Sequence, residues 1–410
     1  MRVAIVTPDL RIRGGVREQA LFVARALRND LGASVQIVSL ATSRKDASSI
    51  LLHQPRTWRR PLVSRYTDEE FIVDHVGAVG AELEVARYAG RRAILRLVEG
   101  CDVVHVVCGT PAVAHAVRRF AGPVVVHFAS LVRHERRPEA PSRISLLDLW
   151  RRVMTAVVGI VERTALRRAD VIVPLNDTRR AEVRALVGPE KPVEVVHTGV
   201  DTEFFSPGLY RDQGYLLNVG RLDDPRKNIS LLLRAYARAR TRLPTLPRLV
   251  LAGPAPPAPD SWQLVSALHL TDNVEYIGPL GRPQLADIYR GAAAFVLSSN
   301  EEGQGIVVVE AMASGLPIVT TSCIGPSELI THGVEGLLTP VGSVAGLADA
   351  IVRVGTDADL RRQMSHAARC RAVREFSLER AGARLCGIYR AAGIAARLAS
   401  HSDRQAVSEA

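Results

Sequence analysis

The chain has 410 residues, enough for about two or three domains with sizeable cores, at ~150 residues per domain. Apolar residues make up 47% and charged residues 23%, the ordinary balance of a soluble globular protein, and the five cysteines lack metal-ligand spacing and fit a reducing cytosol. The net charge of +11 favours anionic partners, but aromatic residues are only 5%, which argues against a stacking platform for nucleic acid.

The chain begins with a short apolar run over residues 3–7, which predicts the first strand of a doubly wound sheet. The run is too short for the apolar core of a signal peptide, and no later stretch is suited to spanning a bilayer. These observations predict a cytoplasmic protein. Gly14 and Gly15 follow in the next loop, but they do not form the G-x-G-x-x-G fingerprint of dinucleotide-binding folds.

Two tracts in the first half of the chain are rich in arginine. Residues 41–75 follow a predicted strand over 35–40 and are expected to be irregular, with a basic core at 56–65. They suit an acceptor loop, a membrane-facing patch or a solvated connector. Residues 133–168 mix arginines with leucines and valines, which predicts a basic amphipathic helix. Such a helix suits an anionic membrane surface, and an exposed helix with a buried face is the plainer alternative.

His127 lies at the end of a predicted strand over 123–128, after another strand over 102–107 and a helix over 110–120. Ligands of open α/β sheets bind at the carboxyl ends of the strands, so His127 is a candidate site residue, with a structural role as the alternative. Further strands are predicted over 170–174 and 193–201. Residues 202–213, which contain a Pro-Gly pair, are expected to be the interdomain linker.

The second half opens with a strand over 215–219, a glycine-containing loop with Arg221 and Lys227, and a helix from Ile229. A strand, a loop with basic residues and a helix N-terminus together form a geometry suited to phosphate. Arginine gives a forked pair of hydrogen bonds to phosphate, and lysine adds a compact charge. This spacing predicts a phosphate clamp.

Residues 302–317 form the most informative stretch of the chain. Gly303 and Gly305 permit tight backbone geometry immediately before a predicted helix, whose N-terminus attracts anions. Two carboxylates, Glu302 and Glu310, stand close to this terminus. Carboxylates repel phosphate unless they accept hydrogen bonds from hydroxyls of the same ligand, so the combination suits a nucleotide sugar.

The same stretch resembles the E-x7-E motif of retaining glycosyltransferases of the GT4 family. Glu302 and Glu310 match its two glutamates, and the run Ala-Met-Ala-Ser-Gly-Leu-Pro that follows matches as well. The resemblance implies that the first glutamate faces the donor sugar and the second holds the ribose. Gln304 departs from the family, where an aromatic residue is common, and this leaves the identity of the sugar open. The donor-binding residues implied here are Gly303, Gln304, Gly305, Ile306 and Glu310.

Three further places resemble the same family. Gly14 and Gly15 match a glycine pair near the donor phosphate and the acceptor, and His127 matches a histidine that touches the donor sugar near its reacting carbon. Arg221 and Lys227 match the pair that clamps the diphosphate. The resemblance therefore implies a catalytic set of His127, Glu302, Arg221 and Lys227.

The resemblance implies an α/β protein of the GT-B fold, with two doubly wound Rossmann-like domains facing across a cleft. The predicted domains are an acceptor-side domain over 1–205 and a donor-binding domain over 206–376. A last helix over 377–398 is expected to pack back on the first domain, and 399–410 is expected to be a disordered tail. In the turn at 197–201, Thr198 replaces the asparagine of the family's P-N-G-V-D turn.

The implied reaction moves a hexose from a nucleotide diphosphate sugar to an acceptor hydroxyl, with retention at the anomeric carbon. No metal or other cofactor is expected, because the positive groups take the role of a metal and no Asp-x-Asp stands in a strand-end loop. The expected partners are the donor, a lipid-linked or small-molecule acceptor and an anionic membrane surface, not nucleic acid. The protein is expected in the cytoplasm, with a peripheral place on the inner face of the membrane. Alternatives are a GT-B epimerase or phosphorylase, an inactive nucleotide-sugar-binding protein, and, from another class, a nicotinamide oxidoreductase.

Overall fold

The chain forms two compact units, which a computed structural model describes over residues 1–60, 62–89, 92–136, 146–208 and 214–394. The first unit consists of Met1–Val196 and the chain from Gly382 onward, and the second of His197–Ala381. The sequence predicts domain boundaries after residues 205 and 376. In the structure the second unit begins at His197, so it includes the turn at 197–201. The predicted tail at 399–410, the end of the predicted last helix, part of the linker, and Arg137 and Arg143 of the arginine-rich tract lie outside the described residues.

The first unit is built on a 7-stranded sheet with the strand order β3-β4-β2-β1-β5-β6-β7. All neighbouring strands are parallel except the β3–β4 pair. The central strands are buried along almost their whole length, which is typical of a parallel sheet covered on both faces. The strands are β1 (Arg2–Pro8), β2 (Ser34–Leu40), β3 (Val63–Asp68), β4 (Phe71–Val76), β5 (Val103–Cys108), β6 (Val124–Phe128) and β7 (Val171–Pro174).

The helices of the first unit connect these strands, and short 3₁₀ helices occur at Pro55–Thr57 and Pro111–Val117. Helix α5 is long and corresponds to the amphipathic helix that the sequence predicts within 133–168. The helices are α1 (Gly15–Leu31), α2 (Glu84–Arg87), α3 (Arg92–Val98), α4 (Val132–Glu135), α5 (Leu146–Arg168) and α6 (Asp177–Val187).

Three sequence predictions for the first half of the chain were wrong. The supposedly irregular tract 41–75 contains the antiparallel pair β3–β4, in which Arg65 donates to the buried Asp74 (2.7 Å). The predicted helix at 110–120 is a 3₁₀ helix that begins at Pro111. The predicted strand at 193–201 is extended chain that makes only isolated bridges, at Val193 and Val200.

The second unit is built on a 6-stranded parallel sheet with the order β10-β9-β8-β11-β12-β13. The strands are β8 (Tyr215–Val219), β9 (Leu249–Ala252), β10 (Val274–Tyr276), β11 (Ala292–Leu297), β12 (Ile318–Thr321) and β13 (Gly336–Thr339). The helices are α7 (Ile229–Arg242), α8 (Pro259–Ala267), α9 (Arg282–Gly291), α10 (Ile306–Ala313), α11 (Ile324–Leu329), α12 (Val344–Thr356) and α13 (Ala358–Phe376).

The last helix of the described chain, α14 (Leu378–Ala391), begins in the second unit and continues into the first. The sequence predicts a last helix over 377–398, and Ser377, which adopts an extended conformation, separates α13 from α14 at this place. Ser377 instead forms a bridge with Val200. None of the described helices has the length and apolar character needed to cross a bilayer.

Candidate functional site

In the second unit the strand order reverses between β8 and β11, and ligands of open α/β sheets bind outside the carboxyl ends of strands at such a switch point. The loops that follow these two strands carry Arg221, Lys227 and Glu302, three of the predicted catalytic residues. Hydrogen bonds join the loops: Ser298 Oγ donates to the Lys227 carbonyl (2.8 Å), and the Asn300 amide donates to the Arg226 carbonyl (2.7 Å). The predicted residues are therefore held in one place by main-chain contacts.

Lys227 and Glu302 form an ion pair at this switch point. Lys227 Nζ lies 2.6 Å from Glu302 Oε1, and Ser299 Oγ donates to the same carboxylate oxygen at 2.7 Å. Both charged side chains are largely buried, with 16% and 10% of their surface exposed. An ammonium group has three N–H donors, so Lys227 can keep Glu302 and still donate to a ligand.

Asp224 organises the basic side chains of the first loop. It pairs with Arg221 (2.9 Å) and with Arg226 (2.8 Å), and its Oδ1 accepts the Arg226 amide. Partial burial raises the pKa of Asp224, but the hydrogen bonds and charge of Arg226, with the charge of Arg221, outweigh it and lower the pKa. Asp224 is thus kept ionised. Sequence reasoning missed Arg226, although its place in the Pro-Arg-Lys run beside Lys227 was a usable signal.

Helix α10 begins and ends where the sequence predicts, because glycines in the left-handed region stand at both ends. Gly305 has φ 87° immediately before the helix, and Gly315 has φ 71° after it. Gly303, Gly305 and Ile306 therefore lie at the helix N-terminus, beside Glu302. The positive end of the helix dipole faces the same loop region, which favours an anion there.

The side chain of Gln304 forms two hydrogen bonds with the main chain of Thr198. Its Oε1 accepts the Thr198 amide at 2.7 Å, and its Nε2 donates to the Thr198 carbonyl at 3.1 Å. Gln304 is buried, so its amide holds the turn at 197–199 against the loop before α10. The structure gives Gln304 a structural role that its sequence position did not indicate.

Glu310, the second glutamate of the motif, lies on α10 and is also buried. The hydroxyl of Tyr289 donates to its Oε2 at 2.8 Å. Burial and the neighbouring carboxylate raise the pKa of Tyr289 well above its ordinary value, so Tyr289 stays a donor at neutral pH. Sequence reasoning missed Tyr289, since the spacing between α9 and α10 gives no signal for this contact.

In the first unit, the order reverses between β1 and β5, and Gly14 and Gly15 follow β1 at this second switch point. Gly15 is the first residue of α1. His127 lies within β6 and is fully buried, with its Nε2 3.3 Å from the Val196 carbonyl. Its ring centroid is 5.6 Å from that of His105. His127 therefore belongs to a buried group of rings on the sheet.

That group is completed by the last helix. His105 Nδ1 and the Tyr389 hydroxyl are 2.7 Å apart, and their rings stack with centroids separated by 5.9 Å. Burial, together with the nearby His127, lowers the pKa of His105 well below its ordinary value, so His105 is neutral at physiological pH. Sequence reasoning identified neither His105 nor Tyr389 as a neighbour of His127.

Two family models match the chain, one for each unit. The model described as Glycosyltransferase Family 4 matches residues 13–204, and the model described as Glycosyl transferases group 1 matches residues 213–357. The D-inositol 3-phosphate glycosyltransferase of Kribbella flavida is 30% identical over 390 residues, which cover 87% of this chain and 85% of that protein. The chain belongs to glycosyltransferase family 4.

Solved structures share the fold over 95% of this chain. Sucrose-phosphate synthase from Thermosynechococcus elongatus is similar with a TM-score of 0.74 at 20% identity, covering 95% of this chain and 98% of that one. Anabaena HepE in complex with UDP and glucose is similar with a TM-score of 0.67 at 17% identity, covering 95% and 100%. The two Rossmann-like units of this glycosyltransferase therefore form the GT-B fold, as predicted.

Among the described residues of this glycosyltransferase, one group of acidic and histidine side chains has atoms close enough to hold a metal ion: Asp9, Asp46 and His75. The guanidinium of Arg11 already lies among them. It pairs with both carboxylates and stands 3.0 Å from His75 Nε2, so it fills the position that a cation would take. This group lies in the first unit.

Proposed function

We propose that this glycosyltransferase moves a hexose from a nucleotide diphosphate sugar to an acceptor hydroxyl, with retention of configuration and without a metal. The observation that carries the proposal is the ion pair of Lys227 and Glu302 at the β8–β11 switch point, next to a loop that holds Arg221 and Arg226. A sugar and a diphosphate together need carboxylate and cationic partners side by side. In a site for phosphate alone, the carboxylate of Glu302 would repel the ligand.

Departure of the diphosphate is the step that these residues assist. The bond between the anomeric carbon and the phosphate oxygen breaks with its electron pair on the diphosphate, where negative charge accumulates. Lys227, Arg221 and the N-terminus of α10 supply fixed positive charge for it, and such preorganised groups often provide the largest catalytic contribution. Arg221 is 47% exposed, which leaves its guanidinium accessible to a phosphate beside Asp224.

Retention follows from attack on the same face. The acceptor oxygen bonds to the anomeric carbon on the side that the diphosphate leaves, and the hydroxyl proton passes to the departing phosphate oxygen. A double displacement needs a carboxylate free to attack as a nucleophile. Glu302 does not suit that role, because its Oε1 accepts from both Lys227 and Ser299. In this proposal Glu302 orients the sugar through its hydroxyls, and the buried Glu310 holds the ribose.

The similarity to HepE, which was crystallised with UDP and glucose, supports a uridine diphosphate hexose as the first donor to test. The similarity to a D-inositol 3-phosphate glycosyltransferase supports a small polyhydroxylated acceptor. The basic surface of the first unit supports a lipid-linked acceptor at the inner face of a membrane instead. Radiolabelled donor distinguishes them, since the product partitions into water in the first case and into an organic phase in the second.

The test of the proposed reaction is an assay with a panel of nucleotide diphosphate hexoses and both kinds of acceptor. We expect transfer from at least one donor, and nuclear magnetic resonance of the product should show the anomeric configuration of the donor. An inverted product would refute retention, and release of sugar to water or orthophosphate alone would point to hydrolysis or phosphorolysis. Activity should persist in EDTA; loss that Mg²⁺ restores would contradict metal independence.

A further inference from the structure

Helix α5 presents a stripe of apolar side chains to solvent. Leu149, Val153, Ala156 and Ile160 recur at the spacing of one helix face, and all four are exposed. Trp150, beside this stripe, is 61% exposed, and Ile160 is 62% exposed. The opposite face of the helix carries the buried Met154, Val158 and Leu166. The stripe is therefore additional to the face that packs against the unit.

Basic residues border this stripe. Arg152 lies beside the stripe, and Arg163 and Arg167 continue the exposed face toward the helix C-terminus; all three are exposed. Asp148 is the acidic residue near the helix start, and it pairs with Arg151 at 3.8 Å. The other carboxyl group of the helix, Glu162, is buried and does not face solvent. The exposed face is thus apolar and positively charged.

The apolar end of α5 extends beyond the edge of the sheet where ligands bind. Val158 packs with Ala112 and Val132, which follow the carboxyl ends of β5 and β6. Trp150 lies about 12 Å further toward the helix N-terminus, at about 1.5 Å per residue. Leu149, Trp150 and Val153 therefore project from the same edge of the first unit as the Gly14–Gly15 loop.

The exposed apolar stripe of α5 contrasts with the surface of the second unit. Among the described residues of the second unit, the large apolar side chains that remain exposed are Val334, Val341 and Val373, which stand singly in the sequence. In the described part of the first unit, the large apolar side chains that are exposed outside α5 are Ile12, Leu52, Trp58, Val63, Ile72, Val79, Leu83 and Val85. An apolar stripe with an arginine border and a tryptophan is the pattern of helices that lie in a membrane interface.

We propose that the exposed face of α5, defined by Leu149, Trp150, Val153 and Ile160 with Arg152, Arg163 and Arg167, docks on an anionic membrane surface. The apolar residues enter the headgroup boundary, and the arginines bind lipid phosphates. Docking would place the ligand edge of the first unit near the bilayer, where a lipid-linked acceptor is presented. This purpose rests on the proposed function, but the docking itself does not require sugar transfer.

The test uses the full chain and vesicles of phosphatidylcholine with or without phosphatidylglycerol, in a co-sedimentation assay without donor. We expect binding to the anionic vesicles at low salt, weakening as salt is raised, and little binding to phosphatidylcholine alone. Arg163→Glu with Arg167→Glu should weaken binding at least ~10-fold, since each basic residue near an anionic surface contributes about fivefold. Arg163→Lys with Arg167→Lys should retain it.

The matched control is Arg234→Glu with Arg238→Glu, which makes the same change at the same spacing on the exposed face of α7 in the second unit. It should leave vesicle binding unchanged. Trp150→Ser with Val153→Ser tests the apolar part and should also weaken binding, while the melting temperature stays near that of the wild type. Equal losses in the α5 and α7 variants, or equal binding to neutral and anionic vesicles, would overturn the proposal.

Two further outcomes are distinguishable. If the stripe joins two copies of the chain, Trp150→Ser with Val153→Ser will convert a dimer to a monomer in sedimentation analysis, and vesicles will not bind; this overturns membrane docking. If transfer to a soluble acceptor fails but vesicle binding follows the pattern above, the proposed function fails and the docking surface stands. If the wild-type chain does not bind anionic vesicles but still transfers sugar to a soluble acceptor, the docking surface fails and the proposed function stands.

Discussion

The two units of this glycosyltransferase hold their site residues in different ways. In the second unit, the residues lie in two loops that follow adjoining strands, and hydrogen bonds between the loops fix Lys227 against Glu302. In the first unit, His127 lies inside a strand among buried rings, one of which comes from the far end of the chain. Local sequence signals therefore mark each loop of the charged site, whereas the surroundings of His127 depend on packing that such signals do not show.

The sharpest test of this contrast is Lys227→Ala, which should lower turnover ~10²-fold or more, because a fixed charge that stabilises the leaving group is lost. Lys45→Ala, at an exposed position of the first unit, is the matched control and should have no effect. Steady-state kinetics with the preferred donor measure both. Near-wild-type turnover in Lys227→Ala would remove the ion pair from the proposed mechanism.

In the first unit, the strongest expected effect is on stability and depends on pH. Glu162 on α5 is buried and accepts the Val132 amide at 2.9 Å. Burial, together with the charge of Glu135, raises the pKa of Glu162 to about 7. The hydrogen bond from the Val132 amide acts in the opposite direction but is outweighed. The folded state thus binds this proton more tightly than the unfolded state does, so stability falls as pH rises from the unfolded pKa near 4.5 through 7.

Glu162→Gln keeps an acceptor for Val132 and removes the ionisation. We expect it to stabilise the protein at pH 8 relative to the wild type by up to about 3 kcal/mol, and to have little effect at pH 5. Denaturant unfolding at the two pH values measures this, with the exposed Glu190→Gln as the control. A variant whose advantage does not change between pH 5 and pH 8 would show that Glu162 is not the titrating group.

Gln304→Leu tests whether the motif loop of the second unit depends on a distant contact as well. It removes two hydrogen bonds to Thr198 and should cost about 2 kcal/mol, at about 1 kcal/mol for each bond. The donor dissociation constant should also rise, because the loop before α10 loses its anchor. Gln263→Leu, at an exposed position on α8, is the control. A normal dissociation constant in a destabilised variant would separate the anchor from the donor site.

The smallest effects are expected from two tyrosine hydroxyls, one in each unit. Tyr389→Phe removes the bond to His105 and should cost about 1 kcal/mol of stability. Tyr289→Phe removes a donor from the carboxylate of Glu310 and should in addition raise the donor KM. Comparison of KM in the two variants decides the point, since an equal rise in both would mean that the contact with Glu310 has no special part in donor binding.

Much of the second unit could be predicted from sequence because its signals are local. The glycines around 303–305 and Gly315 determine where α10 begins and ends, and the loop after β8 carries its cations in a short run. The side chain of Gln304 was misjudged because its partner, Thr198, lies far away in the sequence. The link between Glu310 and Tyr289 escaped prediction because the spacing between α9 and α10 gives no signal for it.

The first unit was harder to predict because its edge strand β3 is not apolar. Strand β3 alternates exposed and half-buried residues, many of them charged or hydroxylated, so it resembles a loop. It pairs with β4, where Arg65 lies opposite and donates to the buried Asp74, a contact that composition does not reveal. The amphipathic helix was predicted within 133–168, but periodicity alone does not show that one apolar stripe of α5 stays exposed.

The division of the first unit between the two ends of the chain has a consequence for synthesis on the ribosome. Helix α14 packs so closely on α1 that a Cβ on Gly382 would lie 2.5 Å from Asp30 Oδ2, and Tyr389 completes the buried rings on the sheet. The N-terminal sheet is therefore synthesised first. One of its apolar faces stays incompletely covered until α14 has been made, near the end of synthesis. The second unit, a continuous segment, has no such delay. A nascent chain stalled before α14 would expose that face to chaperones and proteases.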